Sequence, residues 1–184
     1  MRLYHTGFLE IKEPDIYHGR KNADFGQGFY LTDDMEFSKR WAKERKGFST
    51  ICNTYELDTN GLLIKELKRD EEWFSYIYQN RNHRPDQWKE YDVIMGPIAN
   101  DTIYDVMGII TSGFLSEEEA LRLLKIGPMY GQITIKSEKA LSKLQFLSSE
   151  VLTTECIANY REMVAKEEGA YQKLFAEEME QMEQ

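Results

Sequence analysis

Short runs of β-branched and aromatic residues, none longer than a strand, alternate along the chain with segments of helical period, and polar or glycine-containing turns separate them. Arg2-Leu3-Tyr4-His5 and Gly28-Phe29-Tyr30-Leu31-Thr32 are two such runs, joined by a long polar stretch, and they predict two strands. Asp33-Asp34-Met35-Glu36 then offers an N-cap and an acidic first turn, with Phe37 and Trp41 four apart, which predicts an amphipathic helix ending near Gly47. Residues 50–57 and Leu62-Leu63-Ile64, separated by Asp58-Thr59-Asn60-Gly61, predict a hairpin. Residues 70–80 place Trp73, Ile77 and Asn80 at helical spacing. Tyr91 to Pro97 reads as a buried strand, Ser116-Glu117-Glu118-Glu119 as a capping box, and Gly131 to Ile135 as a strand followed by a short helix. This mixture predicts an α+β domain over residues 1–152. Residues 153–184, with Tyr171, Leu174, Phe175, Met179 and Met182 along one face, predict a C-terminal helical extension that packs on its own domain or serves a partner.

Composition narrows the setting. Hydrophobic residues make up 41% and charged residues 30%, enough apolar surface for one ordinary core. No stretch approaches the roughly 20 apolar residues of a membrane span, and the first residues lack a signal-peptide core, so a cytoplasmic protein without membrane contact is expected. Cys52 and Cys156 match neither a metal-ligand spacing nor a disulfide framework, and both are expected as buried thiols. A net charge of -9 argues against broad nucleic-acid binding through phosphates, which needs clustered Lys and Arg; glutamates crowding the last eight residues supply much of it.

Two segments carry chemistry. In Asp24-Phe25-Gly26-Gln27-Gly28-Phe29-Tyr30, two glycines precede an aromatic strand, so the backbone there can turn tightly and approach a ligand closely. A dinucleotide fingerprint needs a third glycine opening a helix; Leu31 stands there and a strand follows, so that reading fails. A bulge that merely requires glycine explains the local pattern equally well. His5, at the end of the first strand beside Thr6 and Gly7, can present its imidazole to a sugar hydroxyl, although a lone histidine more often has a structural role.

Taken together, Leu3-Tyr4-His5-Thr6-Gly7 and Gly26-Gln27-Gly28-Phe29-Tyr30-Leu31-Thr32 resemble the first two motifs of the ADP-ribosyltransferase superfamily, in particular bacterial toxin-like members of unknown function. The resemblance extends through the strands at 91–97 and 131–135, over roughly residues 1–150. The first motif reads His-Thr-Gly where the family more often has His-Gly-Thr.

The resemblance implies a split or bent antiparallel sheet with flanking helices, with NAD as co-substrate and no metal. By position, His5 takes the role of holding the ribose hydroxyl and amide region of NAD, and Tyr30 that of stacking on nicotinamide. Gln132 matches the third family position, often glutamate, which stabilises the oxocarbenium-like transition state; glutamine holds a hydroxyl but brings no charge. Thr6, Gly7, Asp24, Phe25, Gly26, Gly28 and Phe29 would border the cofactor. Arg81 has the best chemistry for its pyrophosphate, ahead of Asn80 and Asp101. Asp92 is an alternative acid or a strand-end cap. The implied activity is mono-ADP-ribosylation of a protein or nucleic-acid acceptor, as a toxin or effector restrained by an antitoxin. The alternatives are a non-catalytic module that binds NAD or ADP-ribose, and an interaction protein. His5, Tyr30 and Gln132 are expected to converge on one cleft bordered by the 24–29 loop.

Overall fold

The structure is a computed structural model describing residues 1–99 and 116–182. Strand β1 (Arg2–Gly7) alternates between two buried faces, with Leu3 turned to the central core and Tyr4 away from it. β1 pairs antiparallel with β3 (Ile51–Leu57), which pairs antiparallel with β7 (Leu144–Val151), giving the order β1-β3-β7. A second sheet has the order β2-β6-β5-β4, built from β2 (Phe29–Leu31), β4 (Ile64–Glu66), β5 (Val93–Pro97) and β6 (Gly131–Ile135). The sheets meet edge to edge at one bridge, where Tyr4 and Thr32 exchange backbone hydrogen bonds of 2.8 and 3.0 Å. Past that bridge β1 continues with β3 and β2 with β6, so the sheet is split at the β1/β2 seam.

Two departures from the sequence reading concern pairing. The expected hairpin is absent: the turn is present, with Gly61 at φ +71° and Asp58 accepting from Asn60 N–H, but β3 and β4 go to different sheets. The sheet expected to be antiparallel throughout holds one parallel pair, β4 with β5. Helix α1 (Met35–Arg40) starts as the sequence predicts, with Asp34 Oδ1 accepting from Phe37 N–H at 3.0 Å, but stops well before Gly47. The following segment is held as a loop by the Thr50 hydroxyl on Lys43 O and by Arg45 over the Phe48 ring. Local side-chain contacts prevail over helix propensity there.

Apolar side chains from both sheets fill the central core, including Leu3, Tyr55 and Leu57 from one and Leu31, Val93 and Ile135 from the other. Helix α2 (Glu71–Arg81) covers the outer face of the second sheet with Trp73, Tyr76 and Ile77; the Trp73 indole N–H, which burial would otherwise orphan, donates to Pro97 O at 2.8 Å. The capping box forms at α3 (Glu117–Leu124): Ser116 N donates to Glu119 Oε2 and Glu119 N to Ser116 Oγ. After the short α4 (Glu138–Leu141) and β7 comes α5 (Thr154–Met182), whose Phe175, Met179 and Met182 pack against the α2 cluster while Ile157 packs beneath the first sheet. Cys52 is a buried free thiol and Cys156 a half-buried one. Among the described residues no helix is long and apolar enough to cross a membrane.

Candidate functional site at the sheet seam

His5 sits one residue beyond the bridge that joins the sheets. Its Nδ1 lies 2.8 Å from Tyr30 O, and because a carbonyl only accepts, Nδ1 carries the hydrogen. Burial lowers the pKa of the ring from its ordinary value, against the opposing pull of that hydrogen bond, so the neutral imidazole is favoured. Nε2 is then a lone-pair acceptor. It points along the strand toward Gly7, where a β-carbon would stand 3.3 Å away, and glycine keeps that approach open. The ring packs on Phe29, centroids 5.0 Å apart, and Phe29 meets Tyr55 edge-on at 5.6 Å. Asn53, fully buried, accepts from Ile11 N–H and donates to Leu9 O, while Tyr55 donates to Ile11 O, so the 8–13 segment is folded back beside the seam.

The phenol of Tyr30 is committed elsewhere. Its hydroxyl donates to Gly26 O at 2.7 Å and accepts from Phe25 N–H at 2.9 Å, and its ring packs toward the α2 cluster rather than beside His5. Burial pushes this hydroxyl well above the ordinary tyrosine range. The resemblance gave Tyr30 a stacking role; in this structure it holds the 25–26 turn.

Arg81, expected at a pyrophosphate, lies with its side chain 10% exposed on Asp24: Nε and Nη2 reach Oδ1 at 2.7 and 2.6 Å. Asn80 donates to Asp24 O at 3.0 Å. Lys136, side chain 5% exposed, reaches Phe25 O and pairs with Asp86 at 2.7 Å; Tyr76 lies within reach of Asp86 Oδ1 at 2.9 Å and Phe25 O at 3.2 Å. The two glycines answer to this packing. Gly26 has φ +73°, and a β-carbon there would come within 2.9 Å of Asp86 Oδ2 and Lys136 Nζ; one at Gly28 would lie 2.5 Å from Ile135 O. Close approach is needed, as the sequence indicates, but to protein atoms.

Gln132 is 6% exposed and its Nε2 donor is buried with no partner among the described residues. Tyr30 opposes Thr134 on β6, so Gln132, two residues along, shares the face of Tyr30. The structure therefore brings Tyr30 and Gln132 to one face, while His5 touches β2 through the Tyr30 carbonyl and the Phe29 ring on the opposite face, so the expected convergence of all three on one cleft is not found: one residue along a strand turns the side chain to the other side of the sheet. Thr6 is buried with its hydroxyl 2.9 Å from that of Ser38, tying α1 to β1. Asp92 is a cap: it accepts from Leu63 N–H, Ser137 and Lys139. Burial works against its charge, but these hydrogen bonds outweigh it and hold the carboxyl at about 2. Asp101 lies outside the described residues.

The sequence reading missed Ser38, Asp86 and Lys136. Ser38 was legible in principle, one turn into a helix that starts beside the seam. Asp86 and Lys136 are 50 residues apart, and only tertiary structure joins them.

A comparison with curated proteins finds no match. A family model described as "Protein of unknown function (DUF3990)" matches residues 1–146, which span β1 through part of β7 and contain the whole seam. The chain belongs to this family.

Proposed function

We propose that the protein binds NAD at the β1/β2 seam, cleaves its nicotinamide–ribose bond and transfers ADP-ribose to a macromolecular acceptor. One observation carries the reading: His5 is fixed by Tyr30 O as a neutral ring whose Nε2 acceptor faces the open side of Gly7, where it suits a ribose hydroxyl. The split of the sheet behind His5 and the resemblance to ADP-ribosyltransferases favour the same reading. Gln132, on the other face of β2 and β6, adds a buried donor with no partner among the described residues, a group that a ligand passing from His5 through the split to that face would satisfy. Departure of nicotinamide leaves an oxocarbenium-like sugar, so the enzyme's contribution is to position the ribose and to stabilise positive charge. Tyr30 contributes by fixing the turn beside the seam.

The buried amide of Gln132 also favours a second reading, a module that binds NAD or ADP-ribose without cleaving it. Purified protein separates the two: nicotinamide release from NAD with labelling of an acceptor in lysate supports the enzyme. A rise in Tm with NAD but no release supports the module. Absence of both leaves neither standing.

Gln132 gives a sharper test. Glu at this position adds charge opposite the developing cation, so Gln132→Glu is expected to raise nicotinamide release, and Gln132→Ala to lower it by about tenfold or more. Because burial raises a carboxyl pKa, the gain from glutamate grows as pH rises and the group ionises. Release by Gln132→Ala equal to that of the wild type removes Gln132 from the reaction.

A further inference from the structure

The pairing of the first sheet sets His5, Asn53 and Ser149 opposite one another across β1, β3 and β7, and residues directly opposite in antiparallel strands turn their side chains to the same face. The 9–11 segment crosses that face along this row. Side chains hold its backbone: Asn53 Oδ1 accepts from Ile11 N–H at 3.0 Å, Asn53 Nδ2 donates to Leu9 O at 2.9 Å and to His5 O at 3.3 Å, and the Tyr55 hydroxyl donates to Ile11 O at 2.7 Å. At the outer end of the row the Ser149 hydroxyl donates to Glu10 Oε1 at 2.6 Å. Asn53 and Tyr55 are both fully buried. A side-chain amide buried on the core side of a central strand costs free energy that an apolar residue would not, unless its hydrogen bonds are made. Those of Asn53 go to His5 and to the segment that follows it.

β1 ends at Gly7, the side to which His5 Nε2 points, and the chain turns back there so that His5 O and Leu9 O share one donor nitrogen. Ile11 packs on the cluster that contains Phe29 and Tyr55, and the Phe29 ring packs on His5. The segment therefore borders the imidazole on the side away from β2. Tyr55 serves both, with its ring edge-on to Phe29 and its hydroxyl on Ile11 O. In the proposed reaction the bond from C1′ of the ribose to the nicotinamide nitrogen breaks, and nicotinamide leaves with the electron pair. The sugar carbon then takes an electron pair from the acceptor's nucleophilic atom or from water, and in either case a proton goes to solvent; water gives free ADP-ribose. Exclusion of water beside the sugar decides between the two.

We infer that the 9–11 segment is the wall that keeps water from the sugar at His5, and that Asn53 is the positioning residue that holds it, so that this clasp sets how much ADP-ribose reaches the acceptor instead of water. That the sugar is the ribose of NAD rests on the proposed function; that Asn53 holds the segment does not. Asn53→Leu keeps a side chain of similar size in the strand and deletes the bonds to Leu9, Ile11 and His5. Tyr55→Phe deletes only the hydroxyl on Ile11 O and decides the matter should Asn53→Leu fail to fold. Free and acceptor-bound ADP-ribose are measured with NAD labelled on its adenosine and cell lysate as the source of acceptor, and hydrogen exchange of the Ile11 amide is measured without NAD. Both variants are expected to speed Ile11 exchange. Both should also raise the ratio of free to bound ADP-ribose by about fivefold or more, the change that loss of one hydrogen bond of ordinary net strength produces in an opening equilibrium. Leu57→Ala, which destabilises the same strand at its far end, should lower both products together and leave the ratio unchanged. An unchanged ratio in the clasp variants, an equal rise from Leu57→Ala, or Ile11 exchange at the wild-type rate overturns the proposal and leaves the NAD reading standing. A wild type that releases no nicotinamide overturns both.

Discussion

Asp86→Ala is expected to destabilise the protein by about 3–5 kcal/mol, the cost of leaving one member of a buried ion pair without the other. Lys136 is almost wholly buried, with its ammonium on Asp86 at 2.7 Å and on Phe25 O. Burial lowers its pKa from the ordinary lysine value, against the opposing effect of Asp86. Removing the carboxylate strips away the main term favouring the charge. It also takes an acceptor from the Tyr76 hydroxyl and from Trp88 N–H. The sign of the pH dependence follows. With the folded pKa depressed below an unfolded value of about 10.4, the unfolded chain binds the extra proton between the two, so stability rises with pH in that window. The penalty should be largest at neutral pH and shrink as the solution becomes alkaline enough for Lys136 to lose its proton. Urea unfolding of wild type and variant across pH measures this. A loss below about 1 kcal/mol, typical of a surface pair, would show that Lys136 is hydrated rather than buried.

The second large effect falls on chemistry. His5→Ala removes the Nε2 acceptor while opening only a partly buried site, and is expected to lower nicotinamide release by about 100-fold, the size seen when one preorganised polar contact to a transition state is deleted. Melting should change far less than activity. His5 has its pKa lowered by burial, so release should hold through neutral pH and through the ordinary histidine range, and fall only at more acid pH, when a proton claims Nε2. The sign for stability is the same: the folded pKa is depressed, so the contribution from burying the neutral ring is complete above the unfolded value and is lost as pH falls through the folded one. A variant that keeps wild-type release, with its fold intact by circular dichroism, would remove His5 from the site.

Much of the fold was legible where signals are local. Asp34 caps α1, Ser116 and Glu119 form their reciprocal box, and alternation marks β6. Pairing was not legible, because the 58–61 turn reports a change of direction and not which edge the next strand meets; β3 finds β1 and β7, and β4 finds β5. β7 was not read as a strand. As an edge strand its Ser148, Ser149 and Glu150 face solvent, which hides it from an apolar-run reading. The same limit governs the site. His5 and the two glycines stand out in the sequence, and both glycines prove to be places of close approach. What they approach, Asp86, Lys136 and Ile135 O, comes from distant segments. Tyr30 and Arg81 were read as ligand-binding groups from the resemblance and from guanidinium chemistry; the internal partners they have in the fold, Gly26 and Asp24, could not be assigned from sequence.

The central claim is that His5 offers an unengaged Nε2 at the seam to a sugar hydroxyl of NAD. Nitrogen NMR of isotope-labelled histidine tests it directly. Free protein should show His5 neutral, with the hydrogen on Nδ1 and Nε2 as the lone-pair nitrogen. Saturating NAD should move the Nε2 resonance to lower frequency, as for a nitrogen that begins to accept a hydrogen bond, and leave Nδ1 nearly in place. A ring with its hydrogen on Nε2, or an Nε2 resonance that does not respond to NAD, would contradict the account.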